Sequence, residues 1–349
     1  KSCAKELDIF DELSSLREQF HIPKTKNGQE ELYFTGNSLG LQPKLTSSYV
    51  NDMLRQWQES GVRGHFEGEH PWMPYHEFLR DYSAELVGAF PDEVVIMNSL
   101  TVNLHLMMVS FYKPEGKRTK ILIEEHAFPS DHYAVESQIK HHGLEVSENL
   151  LLWKPRLGEE TLNHDDLYQI IESQGDEIAL ILLPGVQYYT GQVLDMNSIT
   201  QAAHKKGITI GFDLAHASGN IPLELHEWQV DFACWCSYKY LNSGPGSVAG
   251  CFIHLNHGHN TGINRFAGWW GHDKSTRFLM GDTFTPTPSA DGWQLSNPPI
   301  LSLAAIRASL DTFKLAGGIK VLRQKSIQLT NYLEFLINEE LGDCIDIIT

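Results

Sequence analysis

The sequence predicts a three-layer α/β protein, in which a mainly parallel sheet of about seven strands carries helices on both faces. Seven short apolar runs alternate with amphipathic segments of helical length from about residue 94 onward. Within each run the apolar residues are continuous, which is typical of strands that are buried on both faces and paired in parallel. The runs are Val94–Met97, Ile121–Ile123, Leu150–Trp153, Ile178–Leu183, Ile208–Phe212, Phe232–Cys236 and Val248–Ile253.

Helix-like segments separate these runs and predict the crossover connections of the sheet. Pro129–His142, His164–Ser173 and Met196–Lys206 are the clearest of them. Folds of this kind bind ligands beyond the carboxyl ends of the strands. The residues that directly follow each apolar run are therefore the candidate functional residues.

The chain is predicted to have three parts. Residues 1–45 form an N-terminal helix and an extended arm, residues 46–300 a large cofactor-binding domain, and residues 301–349 the start of a small C-terminal domain. Leu301–Leu341 has a helical pattern that is broken at Gly317–Gly318, and Ile347–Thr349 resembles the beginning of a strand. We therefore expect the small C-terminal domain to be mostly absent from this chain.

The charge balance argues against nucleic acids and membranes as partners. The formal net charge is −17, and a field of this sign repels phosphate groups. The longest apolar runs are far shorter than a membrane span, and the N-terminus lacks a secretory hydrophobic segment. The 5 cysteines show no disulfide-framework spacing, as in a reduced compartment. We expect a soluble, cytoplasmic protein.

Two charged residues at strand ends suggest one particular cofactor. Asp213 ends the run Ile208–Phe212, and Lys239 follows the next apolar run. Asp213 alone has an ordinary explanation, because aspartate commonly caps the turn after a strand. Together, a lysine that can form a Schiff base and an acid that can keep a pyridine nitrogen protonated suit pyridoxal phosphate (PLP). Burial favours the neutral amine that imine formation requires.

Other strand ends offer contacts for a phosphate and a flat ring. Ser99 and Thr101 begin a helix-like stretch after the first run, and the free N–H groups of a helix N-terminus bind phosphate. The same residues could serve only as helix caps. Phe128 follows the second run and could stack on a ring, with Asp131 nearby, although such an aromatic is more often part of the core.

Five longer motifs carry a family resemblance. In chain order they are LTVNLH (100–105), AFPSDHYA (127–134), FDLAHASGN (212–220), DFACWCSYKYLN (231–242) and SNPP (296–299). In this order and spacing, the set resembles the kynureninases, which are fold-type I PLP enzymes with the aspartate-aminotransferase-like architecture. The resemblance extends from about Gly36 to Leu336, nearly the whole chain.

The resemblance implies roles at the cofactor. Lys239 would form the Schiff base, Asp213 would contact the pyridine nitrogen, and Tyr238 would contact the phosphate and move protons beside Lys239. The other implied cofactor contacts are Leu100 and Thr101 at the phosphate, Phe128 stacked on the ring, Asp131 near it, His216 at the ring and its phenolic oxygen, and Trp269 and Asn297 from a neighbouring subunit. We therefore expect a homodimer with shared active sites, and no metal.

The resemblance also implies the reaction. It is the hydrolytic Cβ–Cγ cleavage of L-kynurenine or L-3-hydroxykynurenine to anthranilate or 3-hydroxyanthranilate and L-alanine, in tryptophan catabolism and NAD biosynthesis. The implied substrate contacts are His65, Asn297 and Ser38. A histidine and an asparagine at these places resemble members that prefer the hydroxylated substrate, because the ring hydroxyl gives both side chains a hydrogen-bond partner.

Two departures from the family pattern concern the site. Pro184 stands where many members have a serine that contacts the cofactor. The arginine that binds the substrate α-carboxylate belongs to the C-terminal domain of the family, and no position before Thr349 matches it.

Three other functions are weighed against this one. A cysteine desulfurase of the same fold needs a nucleophilic cysteine on a mobile loop, whereas Cys234, Cys236 and Cys251 lie in apolar strand-like runs. The histidines of 254-HLNHGHN-260 suggest a metal protein, but no carboxylate or cysteine completes a ligand set there. A non-catalytic scaffold has no need for the pair Asp213 and Lys239.

Overall fold

This computed structural model describes residues 2–342 and 344–349. The described residues form two β-sheets. The smaller sheet pairs two short strands of the N-terminal arm, and the larger one contains all seven predicted apolar runs. The strands are β1 (Phe20–His21), β2 (Gln42–Pro43), β3 (Val94–Ile96), β4 (Lys120–Glu124), β5 (Leu150–Trp153), β6 (Ile178–Pro184), β7 (Thr209–Asp213), β8 (Phe232–Trp235) and β9 (Gly250–Ile253).

The order of strands in the larger sheet is β3-β9-β8-β7-β6-β4-β5. The five strands from β5 to β8 in this order pair in parallel, and β9 runs antiparallel to both β8 and β3. The prediction of a mainly parallel seven-stranded sheet is therefore confirmed. Because the parallel strands end at one edge, the residues that follow them are brought together there.

The predicted crossover helices are also confirmed, within one residue at each end. The α-helices of the described residues are α1 (Ser2–Ile9), α2 (Leu45–Ser60), α3 (Arg80–Val87), α4 (Leu100–Phe111), α5 (Pro129–His141), α6 (Val146–Asn149), α7 (His164–Gln174), α8 (Met196–Lys205), α9 (Leu255–Gly258), α10 (Ile300–Leu315) and α11 (Ile319–Leu341).

Apolar side chains cover both faces of the central sheet. In β4, Leu122 belongs to one buried cluster, whereas Ile121 and Ile123 belong to the other. Successive residues of a strand point to opposite faces, so the two clusters lie on opposite sides of the sheet. Helices α4 and α5 contribute to the cluster around Ile121, and α2, α7, α8 and α10 to the cluster around Leu122. The result is the predicted three-layer arrangement.

The predicted break in the C-terminal helical region is present between α10 and α11. Gly317 and Gly318 have φ angles of +79° and +90°, which residues with a side chain rarely adopt. Residues 345–349 are irregular, so the strand predicted at Ile347–Thr349 is not formed; a strand needs a neighbour, and none pairs with this segment. The division into three parts stays a prediction. None of the helices in the described part of the chain is long and apolar enough to span a membrane.

Candidate active site

A pocket of about 460 Å³ opens at the carboxyl edge of the central sheet. Asp213, the last residue of β7, and Lys239, in the turn between β8 and β9, both line it. Seven further residues predicted from the sequence line the same pocket: Ser38, Leu100, Thr101, Phe128, Asp131, His216 and Tyr238. Segments that are distant in sequence therefore converge at the sheet edge, as the position of the apolar runs predicts.

Lys239 contacts a neutral histidine. Its Nζ donates a hydrogen bond to His216 Nε2 at 2.9 Å and lies 5.8 Å from the centroid of the Phe128 ring. Burial, and then the charge of Lys239, lower the pKa of His216 to about 4. The imidazole is therefore uncharged at neutral pH and can accept the lysine proton through its lone pair.

Three carboxyl groups share the floor of the pocket with this single lysine. Asp213 is buried, and its Oδ1 accepts a hydrogen bond from the Ala215 N–H at 2.7 Å. Burial, followed by the charge of Asp213 and a hydrogen bond to it, raises the pKa of Asp131 well above its ordinary value. Burial also raises the pKa of Glu124, at the end of β4, to about 8. Burial therefore favours the neutral form of both Asp131 and Glu124.

Hydroxyl and N–H groups at one end of the pocket offer hydrogen-bond donors to an anion. Helix α4 begins at Leu100, and the first N–H groups of a helix lack intrahelical acceptors. Thr101 Oγ1 lies 2.8 Å from Ser130 Oγ in the first turn of α5, so two helix N-termini meet here. Sequence reasoning missed Ser130, although it stands inside the motif AFPSDHYA.

An aromatic side chain forms one wall of the pocket. Phe128 precedes α5 and is 48% exposed, so its ring is free to stack on a planar ligand. Tyr188, in the loop after β6, contacts it edge to face with ring centroids 5.3 Å apart. No local motif marks Tyr188, because only the folded loop brings it to this wall.

The N-terminal arm completes the pocket through a close backbone approach. The Gly40 N–H donates to the Tyr238 carbonyl at 2.8 Å. A Cβ atom at Gly40 would lie 2.3 Å from the backbone oxygen of Lys239 and from Asn242 Oδ1, so only glycine can approach the lysine turn this closely. This contact places Asn37 and Ser38 at the pocket. Asn37 was not predicted.

Comparison with known proteins identifies the family. A family model described as Aminotransferase class-V matches residues 33–340. A kynureninase of Koribacter versatilis is 55% identical over 346 residues, which are 99% of this chain and 81% of the relative. A kynureninase of Myxococcus xanthus is 54% identical, over 97% of this chain and 79% of the relative. The chain belongs to the kynureninase family.

Solved structures agree with the fold expected of a kynureninase. The protein C-DES, in a mutant form with glycine covalently linked to its PLP cofactor, has a TM-score of 0.71 at 18% identity, over 92% of this chain and 80% of that chain. A cysteine desulfurase from Thermococcus onnurineus has a TM-score of 0.69 at 17% identity, over 88% and 73%. At these identities the likeness shows the fold alone, and it confirms the predicted fold class.

Replacement of Gly40 by alanine is expected to impair substrate turnover without loss of the cofactor. The added methyl group pushes the arm from the lysine turn, and a displacement of about 1 Å near reacting groups costs about 100-fold in rate. The measurement is kcat/KM together with the PLP content of the purified protein. Gly36→Ala is the matched control, because a Cβ there meets no atom within 4 Å. Equal behaviour of the two variants contradicts this role of Gly40.

Three predicted site residues lie outside this pocket. Trp269 is 42% exposed, and its Nε1 donates to the Arg277 carbonyl at 3.2 Å. Asn297 is exposed in the segment before α10. His65 packs edge to face against Trp72, with ring centroids 5.3 Å apart. Among the residues described here, these three are not brought to the lysine within one subunit.

Pro184 is part of the pocket wall. It ends β6 and pairs with Asp213 of β7 in the sheet. A proline side chain has no hydrogen-bonding group, so Pro184 offers no side-chain hydrogen bond to a ligand in place of the serine that the family resemblance leads us to expect. The backbone of β6 nevertheless stays in register beside Asp213.

The histidine segment 254–260 does acquire carboxylate neighbours, contrary to our expectation from the sequence. His257 Nε2 contacts Asp231 Oδ1 at 2.6 Å, and donor atoms of Glu93, His226 and His254 lie within 4.8 Å of one another. The carboxylates come from distant segments, which is why a local motif did not reveal them. Glu93 already accepts hydrogen bonds from His226, from the Leu255 N–H and from the Phe90 N–H. These contacts satisfy its carboxylate.

The buried cysteines do not resemble nucleophiles. Cys234 and Cys251 face each other on β8 and β9 with their sulfur atoms 3.6 Å apart, and burial raises the pKa of Cys234 well above its usual value. Cys236 lies just beyond β8 rather than within the strand as predicted, and burial raises its pKa to about 11. A thiol with a raised pKa is a poor nucleophile near neutral pH.

Proposed function

We infer that this chain catalyses the kynureninase reaction, the hydrolysis of the Cβ–Cγ bond of L-kynurenine or L-3-hydroxykynurenine to an anthranilate and L-alanine. The observation that carries the inference is the identity of 50–55% to kynureninases over nearly the whole chain. The fold-type I pocket, with Lys239 and Asp213 at adjacent strand ends, supplies the chemical groups that this reaction needs.

The donor set of the pocket suits PLP. Lys239 would hold the aldehyde carbon, Asp213 the pyridine nitrogen, and Phe128 one face of the ring. The hydroxyls of Thr101 and Ser130 and the N-terminus of α4 would hold the phosphate. When bound, PLP supplies an electron sink for the negative charge that develops on the substrate carbon.

The side chains around the lysine divide the proton transfers among them. Lys239, as a free amine, would remove the proton from the substrate Cα, and His216 holds its Nζ at 2.9 Å. Burial raises the pKa of Tyr238 to about 12, so its hydroxyl keeps its proton at neutral pH. Tyr238 would therefore donate, either to the phosphate or to the carbon left by Cβ–Cγ cleavage.

The specificity residues belong to the same proposal. We assign His65, Asn297 and Ser38 to the substrate, with a preference for the 3-hydroxylated form, because its extra hydroxyl pairs with imidazole and amide groups. By analogy with its relatives, the chain would act in tryptophan catabolism and NAD biosynthesis. The buried free thiols of Cys234, Cys236 and Cys251 are consistent with a cytoplasmic location.

Product analysis tests the proposed function directly. The purified chain with added PLP is expected to release anthranilate from L-kynurenine or 3-hydroxyanthranilate from L-3-hydroxykynurenine, with one alanine for each aromatic product. Anthranilate fluorescence and amino-acid analysis measure the two products. Alanine and, with an added thiol reductant, sulfide from L-cysteine, without aromatic product from either kynurenine, would instead support the desulfurase alternative.

We further propose that two copies of the chain form a homodimer with shared active sites. Trp269 and Asn297 are surface residues that do not reach the pocket of their own subunit. An exposed indole offers an N–H donor and a large apolar face, both of which suit an interface. Each subunit would then supply these two side chains to the pocket of the other.

Subunit mixing is expected to restore activity if the sites are shared. Lys239→Ala and the double variant Trp269→Ala/Asn297→Ala are each expected to be nearly inactive alone. Dissociated and reassociated in equal amounts, they give hybrid dimers with one intact site, and up to about a quarter of wild-type activity. The readout is anthranilate release before and after mixing. Activity that stays at the level of the separate variants contradicts the shared site, as does a monomer in sedimentation.

A further inference from the structure

Lys239 is the first member of a chain of three hydrogen-bonding groups. Its Nζ contacts His216 Nε2 at 2.9 Å, and His216 Nδ1 in turn lies 3.3 Å from the Tyr240 hydroxyl. The two rings of the second contact meet edge to face, with centroids 5.9 Å apart. Tyr240 itself is not part of the pocket wall. Its side chain therefore reaches the lysine through the imidazole.

The two contacts together select one tautomer of His216. A lysine ammonium can only donate, so Nε2 must offer a lone pair. A neutral imidazole carries a single N–H, which is then on Nδ1 and points to the tyrosine oxygen. Burial and the charge of Lys239 keep the imidazole neutral, because they lower the pKa of His216 to about 4.

We propose that Tyr240 is a positioning residue, which accepts the Nδ1 proton of His216 and thereby keeps the Nε2 lone pair directed at Lys239. The proposal rests on the inferred role of Lys239 as the residue that binds the cofactor. A hydrogen bond from one ring nitrogen of a neutral histidine keeps the proton on that nitrogen, so the other nitrogen can only accept. Without the hydroxyl, the N–H can move to Nε2, where it opposes the lysine ammonium.

Removal of the Tyr240 hydroxyl leaves the other titratable groups near Lys239 and His216 unchanged. Asp213, Asp131 and Glu124 line the pocket floor with Lys239, and Cys236 and Tyr238 lie close to it in sequence. Burial, and then Cys236, raise the pKa of Tyr240, so its hydroxyl is neutral near pH 7. Tyr240→Phe therefore removes one acceptor and no charge.

The rate at which the cofactor-free chain captures PLP, measured against pH, tests the proposal. Only the neutral amine of Lys239 reacts with the aldehyde, so the profile reports its protonation. In Tyr240→Phe the ammonium of Lys239 loses its acceptor, the Nε2 lone pair of His216. The capture profile is therefore expected to shift to lower pH by about one unit, which raises the capture rate roughly 10-fold at a fixed pH below the midpoint. Long-range ¹H–¹⁵N spectra of the cofactor-free chain, labelled in histidine, should show His216 losing the Nδ1–H tautomer in Tyr240→Phe.

A double-mutant cycle separates this role from a general structural effect. In a His216→Phe background, Tyr240→Phe is expected to cause no further shift, because its effect passes through the imidazole. Tyr112→Phe is the matched control, since that hydroxyl donates to the Thr119 carbonyl and has no contact with the pocket. Tyr112→Phe should leave the capture profile unchanged.

Two results overturn the proposal: an unchanged profile and tautomer in Tyr240→Phe, or an equal shift in the presence and absence of His216. If Tyr240→Phe does not fold, the wild-type tautomer still decides, because an Nε2–H imidazole contradicts the assignment. Absence of both anthranilate and 3-hydroxyanthranilate release by the wild-type chain refutes the proposed function but leaves the capture profile readable. The two failures are therefore distinguishable.

Discussion

Replacement of Lys239 by alanine is expected to abolish anthranilate release, with a loss of at least about 1,000-fold in kcat. Two functions disappear with the amine: the covalent attachment of the cofactor and the removal of the proton from the substrate Cα. The remaining pocket, with Phe128 and the Thr101–Ser130 corner, still offers contacts to the ring and the phosphate. We therefore expect the variant to bind PLP without covalent attachment.

Fluorescence of released anthranilate measures the loss of turnover, and borohydride treatment followed by peptide mapping measures the loss of covalent attachment of the cofactor. Wild-type protein should carry the reduced cofactor on the peptide that contains Lys239, and the variant should carry none. Lys140→Ala is a suitable control, because Lys140 is exposed on α5, where it pairs with Glu136, and it does not line the pocket. Full turnover by the Lys239 variant would refute the assignment of the catalytic lysine.

The second large effect is expected at Asp213, and it should contrast with that at its neighbour Asp131. Asp213→Asn replaces the carboxylate that we assign to the pyridine nitrogen by a neutral amide, and loss of such a preorganised electrostatic contact is expected to cost at least about 100-fold in kcat. Burial, and then the charge of Asp213, raise the pKa of Asp131, so the neutral form of its carboxyl is favoured. An amide resembles that neutral form, and Asp131→Asn should therefore cost less than about 10-fold.

Steady-state kinetics at pH 7 with both variants, together with their visible absorbance spectra, measure this contrast. The spectrum of Asp213→Asn should report an unprotonated ring nitrogen, whereas that of Asp131→Asn should match the wild type. Similar losses in the two variants would mean that the charge is shared between the carboxyls rather than resident on Asp213. Asp213→Glu, which keeps the charge but moves it, should be intermediate.

Much of the fold was predictable because each strand carries its own signal. The seven apolar runs and the three clearest helices match the structure to within a few residues, since fully buried strands leave continuous apolar sequence. Asp213 and Lys239 could be singled out because a charged residue at the end of a buried apolar strand costs free energy unless it is paired or exposed. These signals are local and therefore visible in one sequence.

The contacts that escaped prediction join distant segments or depend on orientation. The approach of Gly40 to Lys239 looks like any glycine in a loop until the backbones are placed together. Glu124 reads as the end of a strand, although its carboxyl lies in the pocket. Likewise, the carboxylates beside the histidine segment come from Glu93 and Asp231, on other elements. Burial and three-dimensional neighbours decide these cases, and sequence spacing does not encode them.

The contact between Gly40 and the lysine turn has a consequence for biosynthesis. Gly40 of the arm is synthesised on the order of 200 residues before its partner Tyr238, roughly 10–40 s earlier at ordinary elongation rates. During that interval the lysine turn, which the arm contacts in the folded subunit, does not yet exist. The arm also carries Leu32 and Phe34, which remain 90% and 80% exposed even in the folded subunit. The arm that completes the pocket is therefore made well before the lysine turn that it contacts, and a partly translated chain cannot enclose a substrate.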